Sequence, residues 1–364
     1  MRPTEEQEEL RSAVRAVLAR HPGDAAWGPL TGQIGVAGLA VPEEFGGAGY
    51  GAREVGVVME ELGRELSPVP YLGSAVLTVA ALLGSGDGEA CARLLPGLAA
   101  GDAVGALAWA EGEGWDPSAV RAGATAAPDG TWRISGVKEH VLGGAEAHVL
   151  VVAARAPEGV SLFEVAVDGP GVAREPLVTM DATRAQARVV LDGAEARLIG
   201  AGGAGDRVLA EVLDLACTAL AAEQVGAAAR CLEITLDYAR ERVQFGRAIG
   251  SFQAVKHRLA DAYVLVESAR SAALGAAFAA DEHRAEAAGF TRLAAAAKSA
   301  CSEAFSTVAG EMIQLHGGIG ITWEHDAHRY FKRAHGSSQL FGAPHWHRAR
   351  LAGELGLPSG TPLG

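Results

Sequence analysis

The 364-residue chain carries 44 Asp and Glu against 31 Lys and Arg, a net charge of −13, which argues against a nucleic-acid partner because a phosphate backbone needs a basic surface. Its length exceeds what one hydrophobic core usually serves, so two or three subdomains are expected. With 49% hydrophobic residues, only 5% aromatics and abundant alanine, close-packed helices are favoured over a β sandwich.

The opening MRPTEEQEEL is polar and acidic, unlike a secretory signal. No apolar run approaches the ~20 residues of a membrane span. Cys91, Cys217, Cys231 and Cys301 are scattered and form no CxxC, as buried free thiols of a reducing compartment would. A cytoplasmic protein with no membrane partner is expected.

Thr4 and Gln7 form a capping box ahead of Leu10, Val14 and Leu18, which recur at helical spacing. The glycines and Pro42 of GLAVPEEFGGAGYG (38–51) interrupt the helical pattern, which resumes from Arg53 and breaks at Pro68 and Pro70. Residues 1–100 read as a helical domain. Over 101–202 the pattern shortens to β-rich runs, VGALAWAE, WRISGVK, HVLVVAAR, SLFEVAV and ARVVLD, with turn signals such as Pro128-Asp129-Gly130 between them. That is a small antiparallel β domain, with strands spaced as in a barrel or sandwich. Residues 203–364 return to helices, predicted at 206–240, 251–281, 285–316, 323–335 and from about Pro344. Long helices with short connections predict an antiparallel four-helix bundle. The fold class is α+β, in the order helical, β, helical.

Three stretches carry a family resemblance. VPEEFGGAG (41–49) followed by EELGRELSP (60–68), RVQFGRAIGSFQAVKHRLAD (242–261) and QLHGGIGITWEHDAHRYFKRA (314–334) stand in the order found in acyl-CoA dehydrogenases. The chain resembles that family over nearly its whole length. The resemblance implies FAD bound across a subunit interface. Arg242, with Phe245 beside it and Gln253 at the next helix start, would reach the pyrophosphate of a neighbouring subunit's FAD. A guanidinium suits this role because it is always charged and grips phosphate oxygens in a fork. The helix start near Ser251 would add its positive end. Gln314 would supply an amide, and Gly317 and Gly318 would let the backbone approach the nucleotide. Read singly, Arg242 can instead pair with Glu241 or Glu233, and the glycines can be a helix C-cap.

The same resemblance exposes losses. The family removes an α proton with a carboxylate while the flavin takes the β hydride, and the base is indispensable because the α carbon is a weak acid. Phe341 stands at the usual position of that acid, and GSSQLFGAP (336–344) contains none. The alternative position, on the first bundle helix, holds Ala216 and Cys217. Asp214 and Glu223 are nearby carboxylates, with solvent-facing or interfacial roles as the plain reading. The hydroxyls and Trp that serve the flavin ring are replaced by Ala110, Leu142 and His140, the last a displaced catalytic group or a structural histidine.

The expectation is therefore an α2β2 complex. This chain would be the non-catalytic subunit, supplying the ADP clamp and scaffold to a second acyl-CoA dehydrogenase-like subunit. The complex would oxidise an acyl-CoA to the trans-2-enoyl-CoA, with fatty-acid or steroid catabolism as its setting and an electron-transfer flavoprotein taking the electrons. Two alternatives remain: an active homo-oligomer using Asp214, Glu223 or His140 as base, and a flavin-free scaffold. His316, His325, His328, His335, His345 and His347 cluster late in the chain, but their spacing matches no standard zinc pattern, so no metal is expected. GGIGIT follows a helix rather than a strand, so it is not a dinucleotide-binding fingerprint.

Overall fold

The computed structural model describes residues 3–112, 114–128, 130–282 and 287–357. It divides into two compact units, each drawing on separated stretches of the chain.

One unit comprises Met1–Arg11, Gly56–Ser67 and Cys217–Gly364. It holds the start of helix α1 (Glu5–Arg20) and the body of α3 (Ala52–Arg64). The reciprocal Thr4 and Gln7 side-chain bonds to backbone N–H groups, 3.2 and 3.1 Å, start α1 as the capping box predicts. The unit also holds most of α6 (Gly205–Glu241), then α7 (Gln253–Glu282), α8 (Ala287–His316), α9 (Ala327–Gln339) and α10 (Pro344–Glu354). Alanine makes this bundle possible in two ways. It is the best helix former, and Ala269, Ala273, Ala276, Ala297 and Ala304 bury a seam of mostly small side chains with Cys301 and Val225. A second cluster gathers Leu66, Leu232, Leu259, Phe305, Met312 and Tyr330. Helices α3 and α6 touch backbone to backbone, since a Cβ on Gly63 would overlap the Glu223 carbonyl and one on Gly226 the Glu60 carbonyl.

The other unit comprises Ser12–Val55 and Pro68–Ala216. It contains the short helix α2 (Trp27–Pro29), α4 (Val79–Ser85) and α5 (Gly88–Ala100). Its sheet is built from β1 (Gly105–Ala108), β2 (Gly123–Ala126), β3 (Trp132–Leu142), β4 (Val149–Ala156), β5 (Gly159–Val165), β6 (Val172–Pro176) and β7 (Gln186–Ile199). The order is β1-β4-β2-β3-β7-β5; β6 also pairs with β7, and the β4–β5 pairing closes the path. The antiparallel expectation holds for most pairs and fails at two. β1 runs parallel to β4, and β2 meets β4 in parallel at Gly123 and Arg155. The chain enters β1 from a helix rather than a hairpin turn, so no tight turn fixes its direction. Strands β2 and β6 were not legible as apolar alternations. In the predicted turn between β2 and β3, Asp129 lies outside the described residues.

Residues 285 and 286 of the third predicted C-terminal span lie outside the described residues, and the five C-terminal helices agree with their predicted spans except α9. It begins four residues later than expected, at Ala327, because Gly317–Ile321 first forms a 3-10 turn. All four cysteines are buried and free. Among the described residues no helix is long and apolar enough to cross a membrane.

Candidate functional site

The segment leaving α6 forms a two-residue hairpin, β8 (Val243–Gln244) against β9 (Arg247–Ala248). Its turn residues Phe245 and Gly246 both have positive φ, 53° and 77°, as a type I′ turn requires. Glycine accepts that conformation; a bulky aromatic does so only at a cost. Phe245 is nevertheless 93% exposed, with an edge contact to Phe252 at 6.1 Å between centroids. A strained backbone that displays an apolar ring to solvent points to function outside the chain's own packing.

Arg242 is exposed. Its side chain makes no hydrogen bond or ion pair among the described residues, so the pairing with Glu233 that sequence allowed is not used. Glu233 instead takes Arg64 at 2.7 and 2.8 Å. The Arg242 backbone is fixed on both sides, its N–H donating to Tyr238 O and its carbonyl accepting from Ile249 N, both at 2.8 Å. Residues 240–258 hold five cations, Arg240, Arg242, Arg247, Lys256 and Arg258, against one carboxylate, Glu241, in a chain of net −13. Arg240 pairs with Asp237 and Arg258 with Glu311, so part of this charge is balanced by carboxylates outside the segment.

Tyr238 connects this hairpin to the end of α8. Its ring stacks on His316 at 4.3 Å, and its hydroxyl donates to the His316 carbonyl at 3.3 Å. Gly317 follows with φ 63°, which accounts for it as a C-cap. Gly318 has no positive φ, and a Cβ there would meet no protein atom within 4 Å. Nothing within the chain requires glycine at that position. Gln314 and Gln253 are exposed, the latter with its Nε2 at 2.9 Å from His257 Nε2. Thus Arg242 and Gly317-Gly318 lie on two helix ends that Tyr238 and His316 hold together.

The position of the missing acid differs in every respect. Phe341 is wholly buried, at φ 61°. The fully buried Lys298 donates to the carbonyls of Ser338 and Gly342 and to Ser302 Oγ, each at 3.1 Å. His347 Nε2 donates to the Phe341 carbonyl at 2.9 Å and lies 3.7 Å from Cys217 Sγ. Burial lowers Lys298 to about 8. Burial, then the charge of Lys298, lowers His347 to about 3, so this imidazole is neutral. Sequence reading missed Lys298 and noted His347 only as one of the late histidines. The signal available was Lys298 as the one charge between Arg292 and Glu303 in an alanine run.

Neither carboxylate weighed as a displaced base faces solvent, contrary to the plain expectation. Glu223 is 2% exposed and Asp214 4%. Glu223 accepts from Arg333 Nε at 3.0 Å, with both side chains 3% exposed, because a buried carboxylate needs a cation. In the β unit, Ala110 and Leu142 are buried. His140 sits at a register shift of β3, φ 55°, with Nδ1 at 2.9 Å from Gln186 Oε1. Trp115 lies 6.1 Å from the His140 ring and 5.4 Å from Trp109, whose Nε1 donates to the Trp115 carbonyl. These aromatic groups pack on one another. The late histidines form no metal-binding group of three among the described residues.

Comparison with known proteins identifies the fold. The profile of the acyl-CoA dehydrogenase N-terminal domain matches residues 4–102, and that of the C-terminal domain matches 203–356. The chain is 38% identical over 370 residues to the acyl-CoA dehydrogenase IpdE2 of Mycobacterium tuberculosis, covering 98% of this chain and 99% of that relative. It belongs to the acyl-CoA dehydrogenase family. Among solved structures of the family, it resembles the ChsE4-ChsE5 complex from Mycobacterium tuberculosis, with a TM-score of 0.87 and 30% identity over 99% of each chain. It also resembles the Tcur3481-Tcur3483 steroid acyl-CoA dehydrogenase, with a TM-score of 0.86 and 34% identity over 97% of this chain and 98% of that one.

Proposed function

We propose that this acyl-CoA dehydrogenase chain is the non-catalytic subunit of a hetero-oligomer, lending an ADP clamp to FAD whose flavin ring and catalytic base belong to a partner subunit. The observation that carries this reading is the contrast between Arg242, exposed and unpaired among the described residues, and Phe341, sealed in the core where the family keeps its acid.

The residues present fit the nucleotide half of FAD. Arg242 would hold the pyrophosphate with charge-assisted hydrogen bonds. Gln314 and Gln253 offer amides, and Gly318 leaves room for a ligand where a side chain would stand. Phe245 would pack on the partner. When bound, FAD would accept the β hydride of the acyl-CoA. Phe341 cannot take the α proton, and Glu223 is engaged by Arg333 in a buried ion pair. That weighs against an active homo-oligomer. The outward-facing Arg242 weighs against a flavin-free scaffold. The likeness to a steroid acyl-CoA dehydrogenase supports a bulky ring-bearing acyl-CoA as substrate. Electrons would leave to an electron-transfer flavoprotein, and the α2β2 arrangement follows from pairing two such chains.

The test is flavin absorbance of the chain purified alone and co-purified with a dehydrogenase-like partner. The expected outcome is a colourless chain, and a yellow complex that Arg242→Ala in this chain bleaches. A yellow isolated chain that an acyl-CoA reduces sinks the reading.

A further inference from the structure

Ala110, His140 and Leu142 stand where the family resemblance places the contacts of a flavin ring, and the structure brings the first two together. The Glu139 N–H donates to the Ala110 carbonyl at 3.0 Å. The segment after Ala110 folds back on this junction. Glu111 and Gly114 form an isolated bridge, and the Trp109 Nε1 donates to the Trp115 carbonyl at 3.3 Å. Trp115 is thereby set beside His140, with ring centroids 6.1 Å apart and planes inclined by 32°. Trp109 meets the same indole edge-on, at 5.4 Å and 69°.

The loop is tied on both sides of Trp115. Glu111 accepts from the Arg121 and Ala122 N–H groups at 2.9 and 2.8 Å, and from Nζ of the fully buried Lys138 at 2.6 Å. Asp116 accepts from the Ser118 N–H at 3.0 Å, and Arg155 donates to the carbonyls of Ser118 and Val120 at 3.0 and 3.1 Å. His140 has φ 55° at a register shift of β3, the kind of irregularity that re-aims a side chain, and its Nδ1 is held by Gln186 Oε1 at 2.9 Å. Ala110 and Leu142 are 3% and 6% exposed, so no open slot lies over them. A flat ring could stack on position 140 only where that face is clear, and the indole lies against it. These residues do not fit a flavin ring.

We propose that Trp115 plugs the chain's own ring site: its indole, laid against His140 and braced by Trp109, fills the space that a flavin ring would need and closes the β unit to flavins. This rests on the reading that the ring is held by a partner subunit, and it names what keeps the ring out of this one.

The test titrates the full chain with lumiflavin, which has the ring but no phosphate for Arg242 to hold, and reads the quenching of flavin fluorescence. Wild type is expected to show no saturable binding. Trp115→Gly removes the indole and is expected to bind lumiflavin roughly tenfold or more tighter than wild type, whereas Trp115→Phe keeps a ring in the loop and stays near wild type. Adding His140→Trp to Trp115→Gly supplies a larger stacking face and should bind tighter still. A melting curve shows which variants are folded. Wild-type binding equal to that of Trp115→Gly means the site is open, and the plug is wrong. If neither Trp115→Gly nor the double variant binds, the indole is not what closes the site, and the proposal fails. A check without any variant is a nuclear Overhauser contact between the Trp115 indole and the His140 ring in the wild-type chain, whose absence also overturns it. The clamp is judged separately, by Arg242→Ala and the flavin content of the complex; a complex that stays yellow sinks the clamp and leaves the lumiflavin result standing.

Discussion

One helix, α8, serves two opposite purposes along its length. At Lys298 it closes the turn carrying Phe341; some 27 Å on at 1.5 Å per residue, past the buried His316, the exposed Gly317 and Gly318 reach the surface. At the Lys298 position every donor of the ammonium finds an acceptor inside the protein. At the other end Arg242 and His316 Nε2 have no partner among the described residues, and a strained aromatic faces outward. The difference teaches where each region expects its ligands. The Lys298 ammonium is satisfied from within, although His347 Nδ1 beside it has no hydrogen-bond partner among the described residues, whereas the exposed guanidinium of Arg242 keeps its capacity for an external partner.

The largest expected effect comes from breaking the sealed region at its ion pair. Arg333→Leu would leave Glu223 buried without its cation and is expected to destabilise the chain by about 3–5 kcal/mol, read by equilibrium denaturation. Replacing both residues with apolar ones of similar volume should recover most of that loss. A single variant within 1 kcal/mol of wild type on the same scale would show that Glu223 has another route to solvation. Next comes Phe341→Glu. A carboxylate there enters a fully buried site, so a loss of a few kcal/mol is expected, with no dehydrogenation gained by the complex. Activity that rises with this variant would mean that position 341 is reachable by substrate.

Lys298 permits a sharper test by pH. Its folded pKa is about 8 against an ordinary 10.5, so between these values the unfolded chain holds a proton that the folded chain has released. Stability from this group therefore rises with pH across that window, because the unfolded state binds more protons. Tyr71, Tyr330 and Cys301, all raised by burial, act in the opposite sense. The informative quantity is thus the stability of wild type minus that of Lys298→Met. It is expected to grow as pH rises from 8 towards 10.5. A flat difference would mean that the folded ammonium keeps its ordinary pKa, as it would if water reached it.

Much of this contrast was legible beforehand. The capping box at Thr4 and Gln7, the long alanine-rich helices and the break at Pro68 and Pro70 are local signals, and each appears in the structure. So are the residues that stand at Ala110, Leu142, His140 and Phe341, since a lost acid or hydroxyl is visible as a letter. What sequence could not give was pairing across distance. Glu223 and Arg333 are 110 residues apart, and Lys298 meets carbonyls 40 and 44 residues on; no periodicity encodes such contacts. The type I′ hairpin was hidden for another reason: Phe245 is a poor residue for a positive φ, so Phe-Gly does not read as a turn in the way Asn-Gly does. The α9 boundary slipped because the 3-10 turn after Gly317 has helical residues but not a helical end.

The smallest effect on the fold is the most telling for the clamp. Gly226→Ala would drive a methyl into the Glu60 carbonyl on α3 and is expected to cost the fold heavily, since the backbones already touch. Gly318→Ala meets no protein atom within 4 Å and has a backbone that any residue adopts, so its effect on stability should stay within about 0.5 kcal/mol. In the complex the same methyl would stand where the nucleotide approaches the backbone, and flavin content should fall although the melting curve of the isolated chain does not. The two glycines thus separate the two reasons a chain keeps one: contact with itself, and contact with something it has yet to bind. If Gly318→Ala leaves flavin content intact while Arg242→Ala removes it, the arginine holds the nucleotide and the glycine turn merely ends a helix.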